Sequence, residues 1–199
     1  MNKEQFNDYI TIFLEQNGKL NLISKNDEKF LWEKHIYDSL SIKYFIDKYK
    51  IENFSGKELL DIGTGGGFPS IPIAIMYPEL AVTALDSIQK KINAIYEIKN
   101  SLDLKNLYPL CDRAENIKKN FDFITSRAVA SMKKLIPYAI PLIKPEGYFI
   151  AYKSIKAEEE LQEAKEILKK YRAKVTDIIE YQLPLEENHT RNLVIIQKI

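Results

Sequence analysis

The feature that most constrains the fold is a tight turn in which four of five consecutive residues are glycine, from Gly63 to Gly67. A mostly apolar run, residues 58–62, precedes the turn, and a proline-led apolar segment, residues 69–76, follows it. That order predicts a buried strand, a turn and a helix start. Glycine permits a positive φ and lets a ligand approach the backbone without a Cβ in the way. We therefore predict that a flat or elongated cofactor lies against residues 63–68.

From residue 57 onward, strand patterns alternate with helix patterns. The predicted strands are 58–62, 81–86, 106–111, 121–126, 147–152, 173–181 and 192–198, and the predicted helices are 69–77, 88–101, 131–142 and 156–170, with a short turn near 113–118. This alternation predicts an α/β fold with a seven-stranded, mostly parallel, Rossmann-like sheet and helices on both faces. No helix signal separates the last two strands, so we expect them to form a terminal antiparallel hairpin.

Helix signals dominate the chain before the first strand. An apolar stripe predicts an amphipathic helix over 4–17, ended by Asn17-Gly18. Asp27 is placed to cap a second helical stretch that runs to about Ile46. We therefore expect a helical extension or lid over 1–56 and a cofactor-binding domain over 57–199, joined in one compact unit.

Composition limits the class of protein. The chain is 45% hydrophobic and 29% charged, as is usual for a soluble globular protein. A single cysteine, Cys111, excludes a disulfide framework and a cysteine-rich zinc site, and we expect it to be a small buried apolar residue. The first five residues are polar and include an acid, and no apolar run approaches the ~20 residues of a membrane span. We expect a cytoplasmic protein.

The net charge of +1 does not indicate nucleic-acid binding by itself. Any such surface must come from the local placement of basic residues. The run of Glu and Lys on helix 156–170 is expected to be a solvated face with no specific role.

A second acid, Asp86, closes the strand that follows the glycine turn. An acid about twenty residues after such a turn is placed to accept hydrogen bonds from a ribose diol. It is also placed to cap the helix that starts near Ile88. The two roles are compatible, and both remain open at this point.

Two prolines narrow the class of cofactor. Pro69 and Pro72 stand in the first turn of the helix after the glycines, where a dinucleotide site needs free N–H groups. The glycine pattern is G-x-G-x-G and lacks the spacing of dinucleotide sites. A nicotinamide oxidoreductase is therefore disfavoured, and S-adenosylmethionine becomes the obvious candidate, with Gly63, Gly65 and Gly67 at its binding loop.

The sequence Leu60-Asp61-Ile62-Gly63-Thr64-Gly65-Gly66-Gly67-Phe68-Pro69-Ser70-Ile71-Pro72 resembles the signature of the RsmG (GidB) family. Further segments that resemble the family follow in its order: Asn21 to Ser24, Trp32 to Leu40, Leu85-Asp86-Ser87, Lys90-Lys91, Arg113-Ala114-Glu115, Thr125 to Ala130, Ala151-Tyr152-Lys153 and Arg191 to Ile195. The resemblance spans roughly residues 13–198. The chain departs from the family at Ser70, Ser154 and Asp112, where glycine or another small residue is common, and the effect of these changes is open.

The resemblance implies a class I methyltransferase that uses S-adenosylmethionine to methylate N7 of one guanine in 16S rRNA, guanine 527 of the 530 loop. It implies that Gly63 and Phe68 contact the cofactor, that Ala114 and Glu115 flank its adenine, and that Arg127 lies beside cofactor and target. The expected partner is 16S rRNA or the small ribosomal subunit. We expect a monomer without a metal.

The chemistry agrees with what the sequence lacks. Guanine N7 carries a lone pair and no proton, so methylation needs no general base, metal or covalent nucleophile. Thr125-Ser126-Arg127 stands where enzymes acting on exocyclic amino groups carry an Asn/Asp-Pro-Pro-aromatic run. Arg127 is expected to clamp a cofactor carboxylate, a guanine edge or a phosphate, or to pair with Asp61 or another strand-end acid. His35 is expected either to be structural or to belong to the lid.

RNA must be held by basic residues near the cofactor side of the sheet. The candidates are Lys25, Lys34, His35, Lys90, Lys91, Arg113, Lys133, Lys153 and Arg191. Two other classes of function stay open: a class I methyltransferase acting on a protein or small molecule, and a non-catalytic RNA- or nucleotide-binding module with this fold.

Overall fold

The alternating strands and helices of the chain form one seven-stranded sheet in a computed structural model that describes residues 1–187 and 189–199. The strands are β1 Glu58–Ile62, β2 Ala81–Asp86, β3 Leu107–Cys111, β4 Phe121–Arg127, β5 Ile143–Ser154, β6 Ala173–Leu183 and β7 His189–Lys198. Their spatial order is β3-β2-β1-β4-β5-β7-β6. The first five are parallel, and β7 is antiparallel to β5 and β6. The predicted fold class is confirmed.

The α-helices are α1 Asn7–Leu20, α2 Lys25–Glu28, α3 Asp38–Leu40, α4 Ile42–Lys48, α5 Ser70–Met76, α6 Gln89–Ser101, α7 Met132–Ala139 and α8 Ala157–Lys170. Short 3₁₀ turns occupy Glu4–Phe6, Ala114–Asn116 and Ile140–Leu142, and a π-helical segment occupies Leu31–Tyr37. After residue 57, the predicted ends of most strands and helices lie within a few residues of the observed ends. The predicted helix over 131–142 is divided, because α7 contains Pro137 and ends at Ala139.

Both faces of the sheet are buried, since neighbouring strand residues fall into different apolar clusters. Leu59 packs in the cluster that contains α1, α4 and α6, whereas Leu60 packs in the cluster that contains α7 and α8. The N-terminal helices share the first cluster with the sheet through Phe6 and Phe13. In the described part of the chain, no helix has the length and apolar character needed to cross a membrane.

The first helix extends past the predicted end at Asn17-Gly18. It continues to Leu20, and Asn21 then adopts φ 49°. Asn17 does not stop the helix because its buried side chain is used in tertiary contacts: Oδ1 accepts from the Ile23 amide (2.8 Å) and Nδ2 donates to Glu28 (2.7 Å).

The second predicted stretch, from Asp27 to about Ile46, is helical, but its predicted N-cap is wrong and it is not one regular helix. Ser24 caps α2 instead of Asp27, because its Oγ accepts from the Asp27 amide (3.2 Å). The stretch is then divided into α2, the π-helical segment, α3 and α4. Ser39 and Ser41 donate side-chain hydrogen bonds to the carbonyls of residues 35 and 37, a pattern that competes with regular helix geometry.

Candidate functional site

The glycine turn curls over the carboxyl ends of β1 and β2. The amides of Gly63 and Thr64 both donate to the Leu85 carbonyl (2.8 and 2.9 Å), and the Gly65 amide donates to Asp86 Oδ2 (3.0 Å). Gly65 has φ +59°, and a Cβ placed on it would meet nothing closer than the Gly63 carbonyl at 4.0 Å. The space above Gly65 is therefore free for a ligand.

Gly67 lies on the side of the turn that faces α5. A Cβ on Gly67 would approach Ile71 Cδ1 to 2.3 Å, and the residue does not line the cavity that the turn borders. Ile71 belongs to α5, so Gly67 allows this helix to pack closely behind the turn. Gly67 therefore has a packing role, and its contact with a cofactor stays a prediction.

A cavity of about 660 Å³ opens at the carboxyl end of the sheet, above the glycine turn. It brings together residues that the sequence placed at a cofactor site: Gly63, Gly65, Phe68, Asp86, Ala114, Glu115 and Arg127. His35, Lys91 and Arg113, predicted as RNA contacts, line the same cavity. Its volume lies within the roughly 300–1,000 Å³ of small-molecule sites.

Asp86 does not cap α6, whose N-cap residue is Ile88, but it bonds the turn before that helix and faces the cavity. Its Oδ1 accepts from the Ile88 amide (3.0 Å), while Oδ2 accepts from the Gly65 amide and lies 3.7 Å from Lys91 Nζ. The carboxylate thus joins the glycine turn to the start of α6. Carboxylate oxygens have several lone pairs, so these bonds leave capacity for a hydroxyl donor.

The other strand-end acid, Asp61, is fully buried between β1 and β4. Thr125 Oγ1 donates to its Oδ1 (3.0 Å), and its Oδ2 has no hydrogen-bond partner among the described residues. Burial raises the pKa of Asp61 to about 6.

Arg127 ends β4 and forms an ion pair that the sequence did not predict. Its Nη1 donates to Asp38 Oδ2 (2.8 Å) and to the Lys34 carbonyl (3.0 Å), so its partner is neither Asp61 nor another strand-end acid. Asp38 is also held from the other side, because Tyr181 of β6 donates to its Oδ1 (2.7 Å). The N-terminal segment is thereby joined to the end of the sheet at the edge of the cavity.

His35, Arg127 and the Phe68 ring pack against one another beside the glycine turn. Arg127 Nη2 donates to His35 Nδ1 (3.0 Å), and the two aromatic rings lie 5.0 Å apart between centroids. A guanidinium is only a donor, so His35 Nδ1 must accept and the ring proton must be on Nε2. Burial and the Arg127 charge lower the pKa of His35 to about 4, so the ring is neutral at physiological pH.

A second cavity, of about 600 Å³, adjoins the first along residues 127–130 and His35. Lys153 lies in its wall, where Nζ donates to Glu160 Oε2 (2.7 Å) and to the Ala130 carbonyl (2.7 Å). Lys153 was predicted as a phosphate contact, but its side chain is only 7% exposed and its ammonium group is engaged by these oxygens.

Glu160 is one of the cavity residues that the sequence analysis did not identify. It belongs to the charge run of α8 that was expected to be fully solvated, yet it is half-buried against Lys153. The only signal in the sequence was its place in the first turn of the helix after β5. Nothing local distinguishes it from Glu158 and Glu159, which are exposed.

The remaining basic candidates are distributed over several places. Lys34 and Arg191 line the second cavity, although Lys34 also pairs with Asp27 (2.9 Å). Lys25 pairs with Glu28 on α2, while Lys90 and Lys133 are exposed and line neither cavity. The structure therefore does not gather the predicted basic residues into one patch.

Two smaller expectations also have an outcome. Cys111 lies half-buried at the end of β3, against the apolar cluster, and is less buried than expected. Ser70, which stands where the family usually has a small residue, is buried and its hydroxyl bonds with that of Thr64 in the glycine turn. Within residues 1–187 and 189–199, no three His, Cys, Asp or Glu side chains cluster as metal ligands would.

Comparisons with known proteins point to one family. A model of the GidB family, described as rRNA small subunit methyltransferase G, matches residues 2–194. The chain is 38% identical over 201 aligned residues to Ribosomal RNA small subunit methyltransferase G of Bacillus pumilus, covering 98% of this chain and 82% of that protein. It is 37% identical to the protein of the same name from Listeria monocytogenes, with the same coverage.

Solved structures share the fold at low sequence identity. A SAM-dependent methyltransferase from Aquifex aeolicus superposes with a TM-score of 0.61 at 20% identity, covering 86% of this chain and 95% of that one. A SAM-dependent O-methyltransferase from Thermotoga maritima gives a TM-score of 0.60 at 16% identity, covering 82% and 65%. At such identities the likeness concerns the fold alone.

Proposed function

The chain belongs to the GidB family, rRNA small subunit methyltransferase G, and we propose that it transfers a methyl group from S-adenosylmethionine to N7 of a single guanine in 16S rRNA. The observation that carries the proposal is the pair of adjoining cavities at the carboxyl end of the sheet. One is bordered by the glycine turn and Asp86, the other lies across residues 127–130 from it, and Arg127 and His35 line both.

The first cavity suits S-adenosylmethionine better than a phosphate-bearing cofactor. The amides of Gly63, Thr64, Gly65, Gly67 and Phe68 all donate within the protein, so the turn keeps few N–H groups for a phosphate. Gly65 leaves open space for the ligand, and Asp86 offers a carboxylate to a ribose diol. Ala114 and Glu115 line the same cavity, where they can flank an adenine. When bound, the cofactor supplies an electrophilic methyl group on a sulfonium.

The protein's own residues act by positioning. N7 has no proton to lose, so no side chain needs to serve as a general base. Arg127 is fixed by Asp38 and the Lys34 carbonyl, and it in turn fixes the neutral ring of His35. Side chains that are fixed in this way and line both cavities hold the two reactants in position. Such positioning lowers the entropic part of the activation barrier, by up to roughly 7–11 kcal/mol in well-oriented systems.

The test is transfer of labelled methyl groups from S-adenosylmethionine to small ribosomal subunits or their isolated rRNA, followed by mapping of the modified nucleotide. We expect one 7-methylguanosine in 16S rRNA. Absence of label in rRNA, or an unchanged 7-methylguanosine content in cells that lack the protein, would refute the rRNA assignment. Label on a protein or small molecule would support the alternative substrate class, and tight cofactor binding without transfer would support a binding module.

The place of action and the assembly state follow as further proposals. An enzyme that modifies ribosomal RNA meets its substrate in the cytoplasm of a bacterium. We propose that it acts there as a monomer, which sedimentation of the purified protein tests directly.

A further inference from the structure

The second cavity contains three carboxylates, and in two of them both oxygens already accept a hydrogen bond from the protein. Asp38 accepts from Arg127 on one oxygen and from Tyr181 on the other. Asp27 accepts from Lys34 on Oδ1 (2.9 Å) and from Ser24 on Oδ2 (2.7 Å). Neither has an oxygen without a protein donor.

Glu160 differs from both. Its Oε2 accepts from Lys153 Nζ (2.7 Å) and from the Met132 amide (2.9 Å), whereas its Oε1 has no partner among the described residues. The side chain is 26% exposed and lines the second cavity but not the first. Because both protein donors bond Oε2, Oε1 stays free to accept hydrogen bonds from a ligand.

We propose that the second cavity receives the target guanine and that Glu160 Oε1 accepts hydrogen bonds from the N1–H and N2–H groups of the base. This inference rests on the proposed function. A carboxylate only accepts hydrogen bonds, and guanine is the base whose Watson–Crick edge presents two adjacent donors. Adenine and cytosine present a ring-nitrogen lone pair at the corresponding place, which a carboxylate repels.

The placement of Glu160 agrees with attack by N7. On the purine, the N7 lone pair and the N–H donors of the N1–N2 edge point roughly a right angle apart, with O6 between them. A base that turns N7 toward residues 127–130, where the two cavities meet, therefore directs its N1–N2 edge along the wall of the second cavity. Glu160 lies in that wall, where Lys153 joins it to the Ala130 carbonyl, and it is the carboxylate of this cavity that keeps a free oxygen.

Lys153 has a positioning role in this arrangement. Its nearly buried ammonium group joins Glu160 to the Ala130 carbonyl, and Glu160 in turn holds the Met132 amide at the start of α7. Glu160 and residues 127–130, which lie between the two cavities, therefore belong to one hydrogen-bond network. Through this network, binding of the N1–N2 edge by Glu160 is coupled to the position of N7.

The test compares guanosine with inosine at the target position of reconstituted small-subunit rRNA. Inosine keeps N7, O6 and N1–H but lacks the N2 amino group. For the wild-type protein we expect kcat/KM to fall by roughly 10-fold to 100-fold with inosine, as loss of a hydrogen bond to a charged acceptor typically costs. A ratio near one would overturn the inference while leaving guanine methylation intact. Absence of transfer to guanosine rRNA would instead refute the proposed function, and the base site with it.

The variant Glu160→Gln supplies the second arm, with Glu159→Gln as the matched control on the exposed face of the same helix turn. We expect the guanosine-to-inosine ratio to approach one in Glu160→Gln and to stay at the wild-type value in Glu159→Gln. A merely structural role for Glu160 would lower both rates equally and preserve the ratio, which would overturn the inference. Binding of S-adenosylmethionine reports folding, since Glu160 lies outside the cofactor cavity, and the wild-type comparison needs no variant at all.

Discussion

Arg127 is predicted to contribute to stability as well as to turnover, because its ion pair with Asp38 is almost buried. The Arg127 side chain is 14% exposed and that of Asp38 7%. Replacing Arg127 with methionine keeps much of the volume but removes the donors to Asp38, the Lys34 carbonyl and His35. Tyr181 still donates to Asp38, so the abandoned carboxylate is partly satisfied.

Breaking a buried pair by removing one partner costs about 3–5 kcal/mol. With Tyr181 in place we expect Arg127→Met to lose about 3 kcal/mol of unfolding free energy, measured by urea denaturation followed by circular dichroism. Asp38→Asn keeps the guanidinium and its other two acceptors, so we expect a smaller loss of about 1.5–3 kcal/mol. The double variant should lose at least 1 kcal/mol less than the sum, since the pair is then absent altogether.

Activity separates the two partners. Arg127 lines both cavities, so Arg127→Met should lower kcat/KM for methyl transfer at least tenfold under conditions in which the variant is folded. Asp38→Asn leaves the guanidinium present, and its loss of kcat/KM should be several-fold smaller. Additive stability losses in the double variant, or a loss below 1 kcal/mol for Arg127→Met, would refute the view that this pair joins the N-terminal segment to the sheet.

Three further perturbations test other parts of the structure. Gly65→Val should abolish S-adenosylmethionine binding in calorimetry while unfolding shifts by only about 1–2 kcal/mol, the strain of an L-residue at positive φ, because a Cβ at this position meets no protein atom closer than 4.0 Å; retained affinity would contradict the cofactor loop. Burial raises the pKa of Asp61 from 3.8 to about 6, so its contribution to stability is present at acid pH and is lost as pH rises through 6. Relative to Asp61→Asn, the wild type should therefore lose about 2 kcal/mol of unfolding free energy between pH 4 and pH 7, and parallel pH profiles would contradict that shift. Gly18→Ala should stabilise the protein by about 0.5–1 kcal/mol in thermal or urea unfolding, since Gly18 lies inside α1 with open space around its Cα, and a destabilised variant would show that the helix needs glycine there.

Much of the cofactor site follows from local sequence. Four glycines between an apolar run and a proline-led run constrain the backbone within a few residues, and the alternation of strands and helices then places Asp86 at the same sheet edge. Ala114 and Glu115, which line the same cavity, were indicated by the family resemblance. These relations depend on backbone geometry and on short-range periodicity. They do not depend on the details of side-chain packing, so the sequence alone predicts a cofactor-binding fold for residues 57–199.

The contacts around the second cavity depend on tertiary packing. Arg127 pairs with Asp38, 89 residues earlier in the chain, and Tyr181 from the terminal hairpin completes that contact. In the sequence Lys153 cannot be distinguished from a surface lysine, but in the structure its side chain is buried and pairs with Glu160. Such pairs form between side chains that only the assembled sheet brings together, and no local periodicity encodes them. The sequence by itself predicted the cofactor loop, because that prediction depends on local backbone geometry, whereas only the folded chain determined which charged side chains are paired and which carboxylate oxygen stays free.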